Sequence, residues 1–251
     1  MSEPFAKKNI YDENGLLLLA KGKKITDDVL ARIQGSSISR IAWDLAEKIN
    51  ICNERNLEYT IEILSAIIAD SQTKPWWFFV HALGSYVDWL YVHCIDVSMI
   101  SLMIAMEMRY SDDELWNIGT GAFLHDAGKL LIPKSIIEKP GSLNDVEMEH
   151  IQQHCEFGMS SLEPCGIPKG CLDIVLQHHE RLDGSGYPKG LKGKQIHPDV
   201  RIVMIADSID AMISYRPYKP LQKMETAVKA LKSDGRKYSQ EIVSVLGKML
   251  G

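Results

Sequence analysis

Cysteine is scarce in this sequence of 251 residues, and the cysteines present show no paired spacing. There are five, an odd number, which argues against a framework of disulfide bonds. Disulfide-rich domains belong mainly to oxidising compartments, whereas free thiols are typical of proteins kept in a reducing one. We therefore expect a cytoplasmic protein whose cysteines are free.

Long uninterrupted apolar runs are scarce as well, and we expect no signal peptide. The most apolar stretches, residues 76–80 and 95–108, are interrupted or bordered by ionisable side chains, namely His81, Asp88, His93, Asp96 and Glu107. Neither stretch provides the roughly 20 apolar residues that span a bilayer. Residues 1–8 also lack the apolar core of a signal peptide. The sequence therefore predicts no membrane segment.

The composition is that of an ordinary globular protein, with 45% hydrophobic and 24% charged residues. Its net charge of −5 is unevenly distributed, because residues 181–201 are mainly basic and residues 44–70 mainly acidic. Local positive potential can attract an anionic ligand despite the net charge, although the same lysines would also suit a solvated loop. Nothing in the pattern indicates binding to duplex nucleic acid.

Residues 1–50 mix strand and helix signals. An Asn14-Gly15 turn precedes the leucines of residues 16–19, a pattern typical of a β-hairpin. Residues 38–43 suggest another short strand, and Thr26 suits the N-cap of a helix. Because this segment is too small for a core of its own, we expect an α/β appendage that packs on the rest. A receiver remnant, an interface element and a spacer all remain open.

Residues 51–251 carry mainly helical signals. Apolar residues at 61, 64, 67 and 68 follow one helical face. Pro75 favours the start of a long helix, or two, reaching residue 108. Ser111 with Glu114 has the form of a capping box, and Asn144 suits the cap of a helix leading to His154. Glycines and a proline exclude a helix over 183–193. The predicted fold class is mainly α, a helical bundle with a small N-terminal α/β appendage.

Histidines and aspartates recur along this helical part in an order that suits a metal site. The His125-Asp126 pair follows apolar residues 118–124, and ionisable groups are rarely buried without a partner or a metal. The full set of candidate ligands is His93, His125, Asp126, His154, His178, His179 and Asp207. Nitrogen and carboxylate donors without thiolates favour iron, manganese or another first-row divalent ion. His150 lies one helical turn before His154, yet we assign it to the surface.

The run HHERLDGSGYP at residues 178–188 resembles the signature of the HD-GYP family, a branch of the HD metal-dependent phosphohydrolases. The resemblance covers roughly the last three quarters of the chain and includes HDAGK at 125–129, ADSIDA at 206–211 and RPY at 216–218. It implies a bacterial phosphodiesterase that hydrolyses cyclic di-GMP to linear pGpG. Further cleavage to GMP, and 3′,3′-cyclic GMP-AMP as the substrate, are left open.

The resemblance also implies roles for individual residues. One metal ion would be held by His93, His125, Asp126 and Asp207, and a second by Asp126, His154, His178 and His179, with Asp126 bridging. Relatives with three metals have a glutamate at the position of Trp89, so we expect two divalent ions, iron or manganese. Lys129 and Asp126 are the expected catalytic residues, with the lysine aimed at the scissile phosphate. Tyr187, Arg216 and Lys219 are the expected substrate contacts, whereas Arg181 and Asp183 are expected to brace the GYP loop.

Two other classes of function remain open. A catalytically weak adaptor that binds cyclic dinucleotides would use the GYP loop for partners such as a GGDEF-type diguanylate cyclase. A pure binding module does not need all seven candidate ligands and Lys129, so their presence in this sequence argues against the adaptor. An oxidative di-iron enzyme of the HD type is opposed by the GYP run and the basic loop. The sequence leaves open whether the chain forms a homodimer.

Overall fold

A computed structural model describes residues 10–11, 17–19, 37–49, 54–214 and 221–249 of the chain. The expected substrate contacts Arg216 and Lys219 lie outside these residues, as do the Asn14-Gly15 turn and the Thr26 cap. The described part is mainly helical, as the sequence predicts. Its helices form one bundle around a shared hydrophobic core.

The N-terminal appendage contains a strand pair and a helix. Strands β1 (Ile10–Tyr11) and β2 (Leu17–Leu19) pair in antiparallel fashion, which confirms the predicted hairpin. The short strand predicted at 38–43 is wrong, because these residues belong to helix α1 (Ser37–Ile49). The buried residues of α1 recur every three or four positions and join the main core; they are Ala42, Leu45, Ala46 and Ile49. The division at residue 50 stays a prediction.

Eleven further α-helices follow within the described residues. They are α2 (Glu54–Ser71), α3 (Trp77–Tyr86), α4 (Asp88–Glu107), α5 (Asp112–Leu124), α6 (Lys134–Ile137), α7 (Asp145–Gln152), α8 (His154–Leu162), α9 (Lys169–Gln177), α10 (Pro198–Ile213), α11 (Met224–Ser233) and α12 (Gln240–Met249). Short 3₁₀ turns occupy Ala127–Leu131, Glu163–Cys165 and Gly193–Gln195. Residues 183–192 form a loop, as their glycines predict.

Helix α4 is the centre of the bundle. It is separated from α3 by Val87, which is buried and extended with φ −144° and ψ 114°, so of the two predicted alternatives the structure has two helices. Helices α1, α2, α3, α5, α10 and α12 all pack against α4. Residues 89–107 have a mean hydropathy of 1.6, long and apolar enough for a membrane span, but 78% of that stretch is buried inside the bundle. This burial identifies α4 as a core helix.

Helix α5 leads the His125-Asp126 pair into the interior. The predicted capping box fixes its start, since the Ser111 N–H donates to the Glu114 carboxylate at 2.7 Å. The helix is buried throughout residues 118–124 and ends at Leu124. The pair therefore leaves the helix at its most buried end.

The 3₁₀ segment after this pair packs tightly against α8. A Cβ placed on Gly128 would lie 1.9 Å from the carbonyl oxygen of His154 and 2.4 Å from the backbone nitrogen of Gly158. Only glycine allows two backbones to approach this closely. The contact holds the loop that carries His125 and Asp126 against the first residue of α8, which is His154.

Candidate metal centre

Five separate parts of the chain supply the seven candidate ligands. His93 lies within α4, Asp207 lies within α10, and His154 begins α8. The pairs at 125–126 and 178–179 follow directly after the ends of α5 and α9. Six of the seven side chains are buried and that of His179 is half-buried. The bundle therefore gathers all seven in one interior site, although their role as metal ligands stays a prediction.

The seven side chains form two adjoining groups. One consists of Asp126, His154, His178 and His179, and the other of His93, His125 and Asp207; within each group the donor atoms lie within 4.8 Å of one another. The Asp126 carboxylate stands between the groups. Its Oδ2 lies 3.4 Å from Nε2 of both His93 and His125, and its Oδ1 lies 3.4 Å from Nε2 of His154. This arrangement has the form expected of a bridging carboxylate.

Hydrogen bonds at Nδ1 orient four of the imidazoles. Three Nδ1–H groups donate to backbone carbonyls one turn earlier: His125 to Ala122 (2.6 Å), His154 to Ile151 (2.5 Å) and His178 to Val175 (3.0 Å). Nδ1 of His93 lies 2.5 Å from the Asp210 carboxylate, the supporting role that such an acidic residue plays behind a metal-binding histidine. Because these partners accept, Nδ1 carries the proton and Nε2 carries the lone pair.

The arrangement of these Nε2 lone pairs shows whether the site fits metal ions. Nε2 of His93 faces Nε2 of His125 at 3.2 Å, and Nε2 of His154 faces Nε2 of His178 at 3.2 Å. Two lone pairs at this distance repel each other unless a cation lies nearby. Oδ1 of Asp126 is buried and has no hydrogen-bond partner among the described residues. The donor set therefore fits divalent cations, with neutral imidazoles and carboxylates as ligands.

The pKa values of these groups favour cation binding at neutral pH. Burial lowers the pKa of His154 to about 4 and holds the pKa values of His178 and His179 well below 6.5. Burial by itself would raise the pKa of Asp126, but the ammonium group of Lys129 and hydrogen bonds from the neighbouring imidazoles outweigh it and hold that pKa well below 3.8. The three histidines are therefore neutral and the carboxylate is ionised, as metal coordination requires.

Lys129 is buried beside this centre, with only 8% of the residue exposed. Its Nζ donates to Oδ2 of Asp126 at 2.5 Å. A surface location for Lys129 is therefore excluded. The ammonium group lies next to the carboxylate that joins the two ligand groups, so it adds positive charge where an anionic ligand would meet the centre.

The loop after His179 covers one side of the centre. The Tyr187 ring lies 4.8 Å from the His179 ring and 6.5 Å from the His154 ring, centroid to centroid. Arg181 donates from Nη1 to the Glu180 carbonyl at 2.7 Å. The Asp183 carboxylate accepts both the N–H and the hydroxyl of Ser185, at 3.0 and 2.6 Å. The Asp183 bonds brace the start of the loop, as expected, whereas the Arg181 bond holds the backbone that leads into it.

Two further sequence expectations concern residues beside the ligands, and one residue was missed. His150 is exposed on α7, as assigned. The Trp89 ring lies 6.3 Å from the His93 ring, one turn before it. Glu180 was not singled out, although it is fully buried and its carboxylate accepts two hydrogen bonds from the covering loop. The sequence feature that could have identified Glu180 is its position directly after the His178-His179 pair.

The fold and the site together define a helical protein with a buried histidine–aspartate centre suited to metal cations. The sequence matches the HD domain family over residues 64–242. The chain therefore belongs to the HD domain family, and the resemblance stated from its motifs is confirmed.

Curated relatives carry names that describe cyclic dinucleotide hydrolysis. A Cyclic di-GMP phosphodiesterase of Thermotoga maritima is 42% identical over 160 residues, covering 62% of this chain and 44% of the relative. The Cyclic di-GMP phosphodiesterase response regulator RpfG of Xanthomonas campestris is 40% identical, covering 60% and 40%. The 3′3′-cGAMP-specific phosphodiesterase 3 of Vibrio cholerae is 34% identical, covering 59% and 33%. The matched region thus spans less than half the length of these relatives.

Solved structures share the fold at low sequence identity. Bd1817, a HDG"Y"P protein of Bdellovibrio bacteriovorus, matches with a TM-score of 0.58 and 18% identity, covering 99% of this chain and 95% of that one. The HD domain of the phosphodiesterase PgpH of L. monocytogenes, in complex with cyclic-di-AMP, matches with a TM-score of 0.51 and 18% identity, covering 68% and 92%. At this identity the matches support the helical fold.

Proposed function

We propose that this chain is a metal-dependent phosphodiesterase that hydrolyses cyclic di-GMP to the linear dinucleotide. The observation that carries the proposal is the position of Asp126 between two groups of inward-facing donors, with Lys129 bonded to it. The relatives named as cyclic di-GMP phosphodiesterases support this substrate class. The proposal extends to a bacterial, cytoplasmic setting, where cyclic dinucleotides act as second messengers.

The reaction needs an activated water and stabilisation of the charge that builds on phosphorus. Two divalent ions would supply the acidified water and hold the phosphate oxygens during in-line displacement. Asp126 and the neutral imidazoles of both groups would hold these ions. The Lys129 ammonium, beside Asp126, would stabilise negative charge on the phosphoryl oxygens and can donate a proton to the leaving 3′-oxygen.

The number and identity of the ions are part of this proposal. We propose two, because the donors fall into two groups that share Asp126, and because Trp89 has no atom able to replace the glutamate of three-metal relatives. Iron and manganese are favoured over softer ions, since the proposed ligands are imidazoles and carboxylates without thiolates.

The substrate side of the site rests on fewer residues. Tyr187 lies over the His179 side of the centre and would contact a base or a phosphate. Arg216 and Lys219 remain expected substrate contacts. Relatives named for cyclic di-GMP and for 3′3′-cGAMP are both similar to this chain, so cyclic GMP-AMP is the second substrate to test. A GGDEF-type partner and a homodimer stay predictions.

Metal analysis combined with a turnover assay tests the proposal. The chain would be loaded anaerobically with iron(II) or manganese(II), and we expect about two ions per chain together with hydrolysis of cyclic di-GMP. His125→Ala and Asp126→Ala should each lose bound metal and hydrolysis while circular dichroism shows the fold retained. His150→Ala removes an exposed histidine and should keep both properties. Metal bound without turnover of any cyclic dinucleotide would favour the adaptor function instead.

A further inference from the structure

We propose that Glu180 is a positioning residue, whose carboxylate holds the loop of residues 183–192 over the metal centre and thereby helps to place Tyr187 against His179. Glu180 is fully buried directly after the His178-His179 pair. It is absent from the set of expected ligands and from the substrate contacts. Its carboxylate instead accepts hydrogen bonds from the backbone of the loop.

The Glu180 carboxylate uses both of its oxygens on the loop. Oε1 accepts the Lys189 N–H at 2.7 Å, and Oε2 accepts the Leu191 N–H at 2.9 Å. A buried carboxylate is costly unless hydrogen bonds replace its water, and bonds from N–H to an ionised oxygen are stronger than neutral ones. One side chain therefore holds the loop backbone at both residue 189 and residue 191.

The first part of the loop, at residues 186 and 187, packs against residues 179–181, which lead into it. The Tyr187 N–H donates to the His179 carbonyl at 3.2 Å. A Cβ on Gly186 would lie 2.4 Å from both the Arg181 nitrogen and the His179 carbonyl, so only glycine fits there. Residues 186 and 187 are thus held on one side against 179–181, and the Glu180 carboxylate holds the other side of the loop at residues 189 and 191, so Tyr187 lies between two fixed points.

Four of the five imidazoles in the centre are oriented at Nδ1 by hydrogen bonds that do not involve this loop, and His179 is the exception. The His178 imidazole donates to the Val175 carbonyl within α9, and Asp207 is carried by α10. Loss of the Glu180 contacts should therefore release the loop while the ligand groups stay in place. The functional consequence rests on the proposed phosphodiesterase activity, since a displaced Tyr187 would weaken substrate binding more than the chemical step.

Glu180→Gln is the sharpest test, because it keeps the size of the side chain. The two N–H groups bond to different oxygens of Glu180, and in glutamine one of these oxygens is replaced by an NH₂ group, which cannot accept and would face the N–H. We expect hydrogen exchange at the Lys189 and Leu191 amides to become at least about tenfold faster. Glu149→Gln, a change of the same kind at an exposed position of α7, should leave that exchange unchanged.

Metal content and kinetics complete the test. In Glu180→Gln the metal bound per chain should equal that of the wild type, while KM for cyclic di-GMP rises about tenfold and kcat stays within about threefold. If that variant does not fold, Glu180→Asp is the second test. Its carboxylate is kept but lies farther from the loop, so exchange at the Lys189 and Leu191 amides should become faster by a smaller factor.

Unchanged exchange at residues 189 and 191 in a folded variant would overturn the role assigned to Glu180. So would loss of the bound metal, since Glu180 would then support the ligands rather than the loop. If the wild-type chain hydrolyses no cyclic dinucleotide, the proposed function fails, yet the exchange measurement still decides whether Glu180 anchors the loop. The two ideas can therefore fail separately.

Discussion

Asp126 and Lys129 form a buried ion pair one helical turn apart, at the junction of the two ligand groups. The pairing explains why an acidic group can remain ionised without exposure, since the lysine offsets the cost of burying the carboxylate. Cations bound by the neighbouring imidazoles would compete with Lys129 for the Asp126 carboxylate. The ammonium group, bonded less strongly to Asp126, could then turn towards an anionic substrate.

Replacement of Lys129 by methionine should therefore separate binding of metal from catalysis. Lys129→Met keeps the length of the side chain and removes the charge, so the metal content should remain while kcat falls by about 10²- to 10³-fold. Lys134→Met, at a lysine whose side chain is 51% exposed on α6, provides the matched control and should leave kcat unchanged. A kcat for Lys129→Met within threefold of the wild type would exclude a role in the chemical step.

Residue types and their order were enough to identify the candidate ligands, and geometry was needed for the rest. A histidine or aspartate in an apolar segment stands out in the sequence, so all seven members of the centre could be selected before the structure was known. Glu180 could not be selected in this way, because its role depends on how residues 183–192 fold back over it. Long-range backbone contacts of this kind leave no periodic pattern in a sequence.

At the scale of elements, helices with strong apolar periodicity and caps were predicted well. Helix α5 begins at its expected capping box, and α7 begins after Asn144, whose side chain accepts the Glu147 N–H at 2.9 Å. The error at residues 38–43 arose because the window was short and ended before Leu45 and Ile49 completed the helical face. The breaks at Val87 and Gln153 depend on packing, which local preferences do not determine.

The close contact between the 3₁₀ segment and α8 leads to a prediction about Gly128. Gly128→Ala would put a methyl group 1.9 Å from the His154 carbonyl, so one backbone must move. We expect a loss of about 3 kcal/mol in the free energy of unfolding, measured by urea denaturation, and reduced metal binding because the segment that carries His125 and Asp126 moves away from His154. Gly170→Ala, in α9 with open space around it, should be neutral or slightly stabilising. Equal stability of both variants would contradict the proposed contact.

At the scale of the whole molecule, the bundle buries many ionisable groups around one point. Five imidazoles and two carboxylates from five parts of the chain meet in the core, where burial disfavours a positive charge on histidine. Folding without metal is therefore opposed whenever these histidines take up protons. The stability of the metal-free protein should depend strongly on pH for this reason.

The sign of that dependence follows from the lowered pKa of His154. Its pKa is about 4 in the folded protein and about 6.5 in the unfolded chain, so below pH 6.5 the unfolded state binds more protons and acid favours unfolding. The pKa values of Asp126 and Asp207 are also lowered, but carboxylates lose their contribution only as the pH falls below about 4. Mild acid therefore acts mainly through the histidines.

Urea denaturation of the metal-free protein at pH 7.5 and pH 5.0 measures this effect. His154 alone should account for about 2 kcal/mol of the stability lost between these two pH values, because the unfolded imidazole is protonated at pH 5.0 and the folded one is still mostly neutral. His154→Gln should reduce the loss by that amount, whereas His197→Gln, at a histidine whose side chain is 64% exposed, should not change it. If His154→Gln were as sensitive to acid as the wild type, then His154 would not be a neutral, buried member of the centre, and the arrangement that makes the bundle suited to metal would be wrong at that residue.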